Sequence, residues 1–362
     1  MAVLESRAAV ITGLESELEL WSIPIPEIEP GSLLVRVDAA TLCGTDAHRW
    51  QGHLLAVPPP FIPGHETCGT IVEMRGDVRD ILDRPLHVGD RVISSYAHCG
   101  HCYFCRVARQ TTLCAQNGKF GCWEPHKLLG GCSEYHVFPA GGSFVRIPDE
   151  VSSTLAASAA CALRTVIHAY EHLGAIESHE TVLVQGAGPL GLYAVAVARD
   201  RGAKRVLLIG APAARLDVAL AWGADEVLDL DAVPEASDRL AWVHERTAGR
   251  GADVVMQCAS SPALVEGLAL ARRGARLINV GVSGGPNLSI PPALFFRGVR
   301  VSSVMMAEAR HFYQAIEFLA TRRDRFPFDR LFSNTFSLDR VTDALRGMAN
   351  YTEIKPVILP NG

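Results

Sequence analysis

The chain has 362 residues, 48% of them hydrophobic and 20% charged, with a net charge of −5. That length points to two domains, and the apolar share provides a large core and excludes disorder for most of the chain. The acidic excess argues against a dedicated nucleic-acid or membrane-surface binder, which would need basic residues to meet phosphates. In chain order, short apolar runs at residues 33–37, 70–72, 91–94 and 135–137 are separated by turn signals such as Pro58-Pro59-Pro60 and Gly141-Gly142. This is the pattern of a small antiparallel β-domain. An Ala-rich helix is predicted over 155–172, and strand–helix alternation follows. Strands are expected at 181–184, 206–209, 253–258 and 276–280, and helices at 190–199, 213–222 and 263–272. Such alternation implies a parallel sheet covered by helices, so the fold class is α/β. A last helix is predicted over 311–321.

Ten cysteines need a compartment before they can be interpreted. The N-terminal segment carries acids and no long apolar run, so it does not read as a signal peptide. The longest apolar stretch, 155–163, stops at Arg164, short of the roughly 20 residues a membrane span needs. The expected location is therefore cytoplasmic, where clustered thiols point to metal more often than to disulfides. Cys99, Cys102, Cys105 and Cys114 lie on one loop and offer four thiolates, the donor set of a closed, structural zinc site. His98 and His101 beside them read as bystanders.

A catalytic zinc needs three protein ligands and an open position. Cys43, His65 and Cys161 can supply them, although each alone is also compatible with an ordinary packed residue. Gly186-Ala187-Gly188-Pro189-Leu190-Gly191 forms a GxGxxG turn between a predicted strand and a predicted helix. Its glycines suit a tight turn, a close pyrophosphate and close helix–strand packing, with the diphosphate at the positive helix end. The acid expected about 20 residues on, to hold the adenosine ribose, is missing. Gly210 ends the second strand instead, and Arg215 follows. This tilts the reading toward NADP(H) over NAD(H), with Arg215 as a solvated helix residue the alternative.

Taken together, these residues resemble the zinc-dependent alcohol dehydrogenases of the medium-chain dehydrogenase/reductase superfamily. The resemblance is carried by residues 43–48, Gly64-His65-Glu66, Gly89-Asp90-Arg91-Val92, the 99–114 loop, Cys161 and the glycine turn. It implies a GroES-like catalytic domain of residues 1–158 and 304–362 around a Rossmann domain of residues 159–303, with the active site in the cleft between them. Cys43, His65 and Cys161 then look like catalytic zinc ligands, and Glu66 like the acid that can approach the metal. Asp46 looks like the carboxylate orienting the histidine, and Thr45 and His48 like the proton relay. Lys355 falls where the family often has a basic residue near the pyrophosphate. Two zinc ions per chain, one catalytic and one structural, are implied.

This chain departs from the family pattern in a Cys105–Cys114 spacing one residue longer than usual, in Gly44, where some members carry a basic residue, and in Gly210. The expected activity is hydride transfer between an alcohol or ketone and a nicotinamide cofactor. The apolar residues Trp50, Leu294, Phe295, Phe296, Met305 and Met306 point to an apolar secondary alcohol, cyclic ones included, as the substrate class. An NADPH-dependent carbonyl reductase working in reverse and a polyol-type dehydrogenase are alternatives, and a zinc-ribbon binding module is a remote one. A homodimer or homotetramer is implied, with alternating residues 288–304 as the sheet-extending edge and no nucleic-acid or membrane partner.

Overall fold

Turn-punctuated apolar runs early in the chain become short antiparallel strands because each has one face to bury. The computed structural model describes residues 4–54, 58–116, 124–281 and 287–362. A hairpin of β1 (Glu5–Val10) and β2 (Glu19–Pro24) opens the chain. It is followed by β3 (Leu33–Thr41), α1 (Gly44–Trp50), β4 (Glu66–Met74) and β5 (Arg91–Ser94). Next come α2 (Tyr103–Arg106), β6 (Tyr135–Phe138), β7 (Phe144–Arg146) and α3 (Ser153–Ser158). A π turn, Ala159–Leu163, then joins α3 to α4 (Arg164–Leu173). The predicted 155–172 helix is thus interrupted, and Cys161 sits on the wide turn.

The α/β alternation follows in the expected order. It runs β8 (Thr181–Gln185), α5 (Pro189–Asp200), β9 (Arg205–Gly210), α6 (Ala213–Ala221) and β10 (Glu226–Asp229). It continues with α7 (Ala236–Arg246), β11 (Ala252–Gln257), α8 (Ala263–Leu270) and β12 (Ala271–Asn279). The predicted 263–272 helix ends early because Ala271 already pairs with Ala252 in the sheet. Residues 288–304 are not one alternating strand: α9 (Pro292–Phe295) precedes the short β13 (Arg300–Ser303). The chain ends with α10 (Ala309–Arg322), β14 (Thr335–Phe336), α11 (Val341–Ala349) and β15 (Val357–Ile358).

Two compact units result. One comprises residues 1–164, 306–322 and 332–362, and the other 165–305 and 323–331. In the first, a sheet of order β14-β15-β3-β4-β5-β7, with β6 on β3, packs over a core that includes Ile11, Val37, Phe61 and Leu345. In the second, six parallel strands run in the order β10-β9-β8-β11-β12-β13, the doubly wound arrangement of dinucleotide-binding sheets. Among the described residues no helix is long and apolar enough to cross a membrane. Trp50, expected near a substrate, instead belongs to the core of the first unit and donates its indole N–H to Ser16 O at 2.9 Å. Phe296 and Met305 are exposed, and the side chain of Phe295 lies outside the described residues.

His136 on β6 is buried against Phe138 and sits 3.2 Å from Thr67 Oγ1. Burial pushes its pKa down to about 3, so the folded chain holds a neutral ring while the unfolded chain takes up a proton below about 6.5. Its contribution to stability is complete above that pH. It falls toward pH 3 by about 1.4 kcal/mol per pH unit. His136→Gln is expected to flatten the loss of urea midpoint between pH 6.5 and 4 relative to the parent. Parallel curves would contradict this.

Candidate metal centre and dinucleotide turn

Cys43 caps α1, and its position follows from a reciprocal capping box. Thr45 N donates to Cys43 Sγ at 3.3 Å, while Asp46 Oδ2 accepts from Cys43 N at 3.0 Å. The other Asp46 oxygen accepts from Gly64 N and lies 3.2 Å from His65 Nδ1. A carboxylate on Nδ1 holds a proton there and leaves Nε2 as the nitrogen that a cation would meet. That Nε2 lies 3.4 Å from Cys43 Sγ. The ligand atoms of Cys43, His65, Glu66 and Cys161 all lie within 4.8 Å of one another.

These distances fit a metal. Tetrahedral bonds of about 2.3 Å to sulfur and 2.0–2.1 Å to nitrogen place the donors about 3.6 Å apart. The electrostatics agree. Sharing a hydrogen bond with Cys161 holds the Cys43 thiol well below its usual range, and the same contact with Cys43, together with burial, pushes Cys161 up. Two sulfurs thus share one proton that a divalent cation would replace. Burial pulls His65 down, but Asp46, Tyr96 and the thiols outweigh it and its pKa rises.

Glu66 lies in the cluster as expected, whereas its neighbour Lys355 departs from expectation. Both are fully buried, with Lys355 Nζ 2.5 Å from Glu66 Oε2. The same oxygen accepts from Thr41 Oγ1, and Oε1 has no hydrogen-bond partner among the described residues. Burial raises the Glu66 pKa; the opposing effect of burial on Lys355 is outweighed by Glu66 and the thiols. Lys355 therefore sits as the counter-ion of Glu66 beside the cluster, not presented to a pyrophosphate. Its buried position follows from the adjoining Val357, paired to Thr41. Nothing in the sequence around Lys355 distinguishes it from a surface lysine. Thr41, Tyr96 and Arg164 likewise border this site without a sequence signal.

Thr45 and His48 lie three apart on α1, hence on one face. His48 Nδ1 is buried and has no hydrogen-bond partner among the described residues. Burial, then His53, lowers its pKa, so the ring is neutral near pH 7.

A second cluster is formed by Cys99, Cys102, Cys105 and Cys114, whose sulfurs all lie within 4.8 Å of one another. Sulfurs on a tetrahedral zinc stand about 3.8 Å apart, and Cys99–Cys105 and Cys102–Cys105 measure 4.0 and 3.5 Å. All four are free thiols. Backbone N–H groups of Ala115 and Cys105 lower the Cys102 pKa to about 6, as suits a thiolate ligand. The longer Cys105–Cys114 spacing is absorbed by a left-handed Arg109 and the single turn Thr111–Leu113. His98 and His101 are outside both donor sets. Among the remaining thiols, burial pushes Cys68 up to about 12 and Cys258 higher still. Cys122 lies outside the described residues.

In the parallel unit each glycine of the turn has a measurable role. Gly186 has φ +101°, a Cβ on Gly188 would meet nothing within 4 Å, and one on Gly191 would lie 1.8 Å from Gly186 O. The turn thus allows a close ligand at Gly188 while helix and strand pack too tightly for any side chain at Gly191. Gly188 is the N-cap of α5, Pro189 and Leu190 open the helix, and no side chain caps its N–H groups, so they remain for an anion. At Gly210 a Cβ would lie 2.7 Å from Ala187 Cβ. With Ala187 this close, the turn leaves no room for a side chain at position 210. Arg215 in the first turn of α6 is buried, not solvated.

Comparison with known proteins agrees with this geometry. Residues 29–149 match the alcohol dehydrogenase GroES-like domain, and residues 189–321 match the zinc-binding dehydrogenase domain. The chain is 35% identical over 359 residues to 5-exo-hydroxycamphor dehydrogenase of Pseudomonas putida, covering 98% of each. It superposes on an alcohol dehydrogenase of Thermotoga maritima with a TM-score of 0.90 at 29% identity, covering 99% of this chain and 100% of that one. A Sinorhizobium meliloti structure named as a zinc-binding dehydrogenase bound to NADP gives a TM-score of 0.83 at 28% identity, covering 99% and 100%. The chain belongs to the zinc-binding alcohol dehydrogenase family of the medium-chain dehydrogenase/reductase superfamily.

Proposed function

We propose that the protein oxidises an apolar, cyclic secondary alcohol to its ketone, or runs the reverse reaction, with NADP(H) preferred over NAD(H). The observation that carries the reaction type is the gathering of Cys43, His65 and Cys161 donor atoms, with Asp46 fixing the histidine tautomer. A zinc ion held by these three residues would supply the Lewis acidity that brings an alcohol's pKa toward neutrality, and the nicotinamide would accept the hydride. Asp46 keeps Nε2 of His65 turned to the cluster. Lys355 keeps Glu66 charge-balanced beside it. Thr45 and the neutral His48 accept and pass on the alcohol proton. The turn Gly186–Gly191 and the N-terminus of α5 hold the pyrophosphate, with Arg215 near the adenosine ribose. Cys99, Cys102, Cys105 and Cys114 hold a second, structural zinc.

The substrate class is supported by the hydroxycamphor enzyme, whose name denotes a bicyclic secondary alcohol. The cofactor preference is supported by the closed Gly210 position and by the NADP-bound relative. Self-association is proposed through β13, the outer strand of the parallel sheet. Fluorescence titration with NADPH and NADH, followed by turnover of bicyclic, cyclic and linear alcohols, tests the reading. Tighter NADPH binding and the fastest turnover with bicyclic secondary alcohols are expected. Equal binding would remove the cofactor preference, and a polyol as the best substrate would remove the substrate class.

A further inference from the structure

Cys161 lies on a π turn, Ala159–Leu163, between α3 and α4. A π turn is rarely stable without a local reason and is frequent at functional sites. Here the residue just after it, Arg164, closes over it. Arg164 Nε donates to Ala160 O at 3.0 Å, and Nη2 lies 3.4 Å from the Tyr96 hydroxyl. The guanidinium carbon lies over the rings of Tyr96 and Phe312, 5.1 and 5.0 Å from their centroids. It is 2% exposed, has no carboxylate partner among the described residues, and leaves Nη1 without a hydrogen-bond partner. A guanidinium buried on these terms is costly. An apolar residue would fill the space at less cost, so core packing does not account for it.

The two rings that hold Arg164 are themselves anchored. Phe312 is on α10, and Glu308, just before that helix, accepts the backbone N–H and hydroxyl of both Thr111 and Thr112 in the four-cysteine loop. Tyr96 lies three residues before Cys99 on the strand side of the same loop. Arg164 therefore links a braced aromatic frame to the turn that carries Cys161.

We propose that Arg164 is a positioning residue for the three-ligand cluster, its planar guanidinium holding the π turn in the form that delivers Cys161 Sγ beside Cys43 and His65. This rests on the reading that the cluster holds a metal. The geometry of the guanidinium does the work, because donating Nε to Ala160 O while lying over both rings needs a flat, forked group. A lysine would keep the charge and lose both.

The test uses the full-length protein loaded with cobalt(II) alone, in the parent, R164M, R164K and the milder F312L, which removes one of the two rings beside the guanidinium and keeps Arg164 itself. Two readouts are taken: the visible d–d bands and the release of cobalt to a chelator. The parent is expected to bind two cobalt ions per chain in two release phases, one absent from C43A. In R164M and R164K that phase should accelerate about tenfold or more, with altered d–d bands, while the other phase and the far-ultraviolet circular dichroism stay unchanged. F312L should accelerate the same phase to a smaller extent. Parent rates and bands in R164M, or in R164K alone, would overturn the positioning role. A parent that binds a single cobalt would overturn the metal reading itself, and the proposal with it.

Discussion

Lys355→Met is expected to destabilise the protein by about 3–5 kcal/mol, the typical cost of leaving one member of a buried ion pair unpaired. Glu66 and Lys355 are both fully inaccessible, so no water can replace the missing ammonium. The Thr41 hydroxyl still donates to Glu66, but one neutral donor does not balance a carboxylate. Converting Glu66 to Gln as well should recover most of the loss, giving a coupling of about 2 kcal/mol or more in a double-mutant cycle of urea denaturation. The single variant also has a pH signature. Burial raises the Glu66 pKa, and without Lys355 the largest effect opposing that rise is gone, so the folded variant takes up a proton before the unfolded chain does. Its deficit should therefore shrink as pH falls toward the ordinary glutamate range of about 4.3. A K355M protein within 1 kcal/mol of the parent, or a pH-independent deficit, would contradict the pairing.

Asp46→Asn is expected to lower affinity for the metal of the Cys43 cluster by about 10–100-fold while leaving the four-cysteine site unchanged. Asp46 accepts from Cys43 N, from Gly64 N and from His65 Nδ1. Asparagine has one acceptor oxygen, so its amide N–H₂ must face at least one donor. The histidine then loses the charge that fixes its tautomer, and the entry to α1 loses half of its capping box. Competition with a chelator measures the affinity. A change under twofold would show that His65 is oriented without Asp46.

Much of this site is legible in the residues because it is local. The spacing of the four cysteines fits one loop around one ion, and the glycine turn sits where a strand must pass into a helix. Cys43 and Asp46 act through one capping box, so their relation is contained in four residues. Lys355 is different: its role comes from β15 pairing with β3, a contact spanning more than three hundred positions, and no local pattern encodes it. The π turn at Cys161 is hidden for another reason. Its sequence, Ala-Ala-Cys-Ala-Leu, has ordinary helix formers, and the tertiary grip of Arg164 decides the wider winding. Trp50 illustrates the same limit from the other side. An aromatic close in sequence to Cys43 and His48 lies in the core because α1 turns that face inward. The glycine that ends β9 where an acid is expected becomes intelligible only once Ala187 is seen against Gly210.

The proposed function requires one metal ion on Cys43, His65 and Cys161 and another on Cys99, Cys102, Cys105 and Cys114. Metal content per chain of the purified parent and of Cys43→Ala tests it directly. About two zinc per chain are expected in the parent and about one in the variant, with alcohol oxidation lost and the fold retained. One zinc in the parent, loss of both in the variant, or full activity in a variant with one zinc would contradict it.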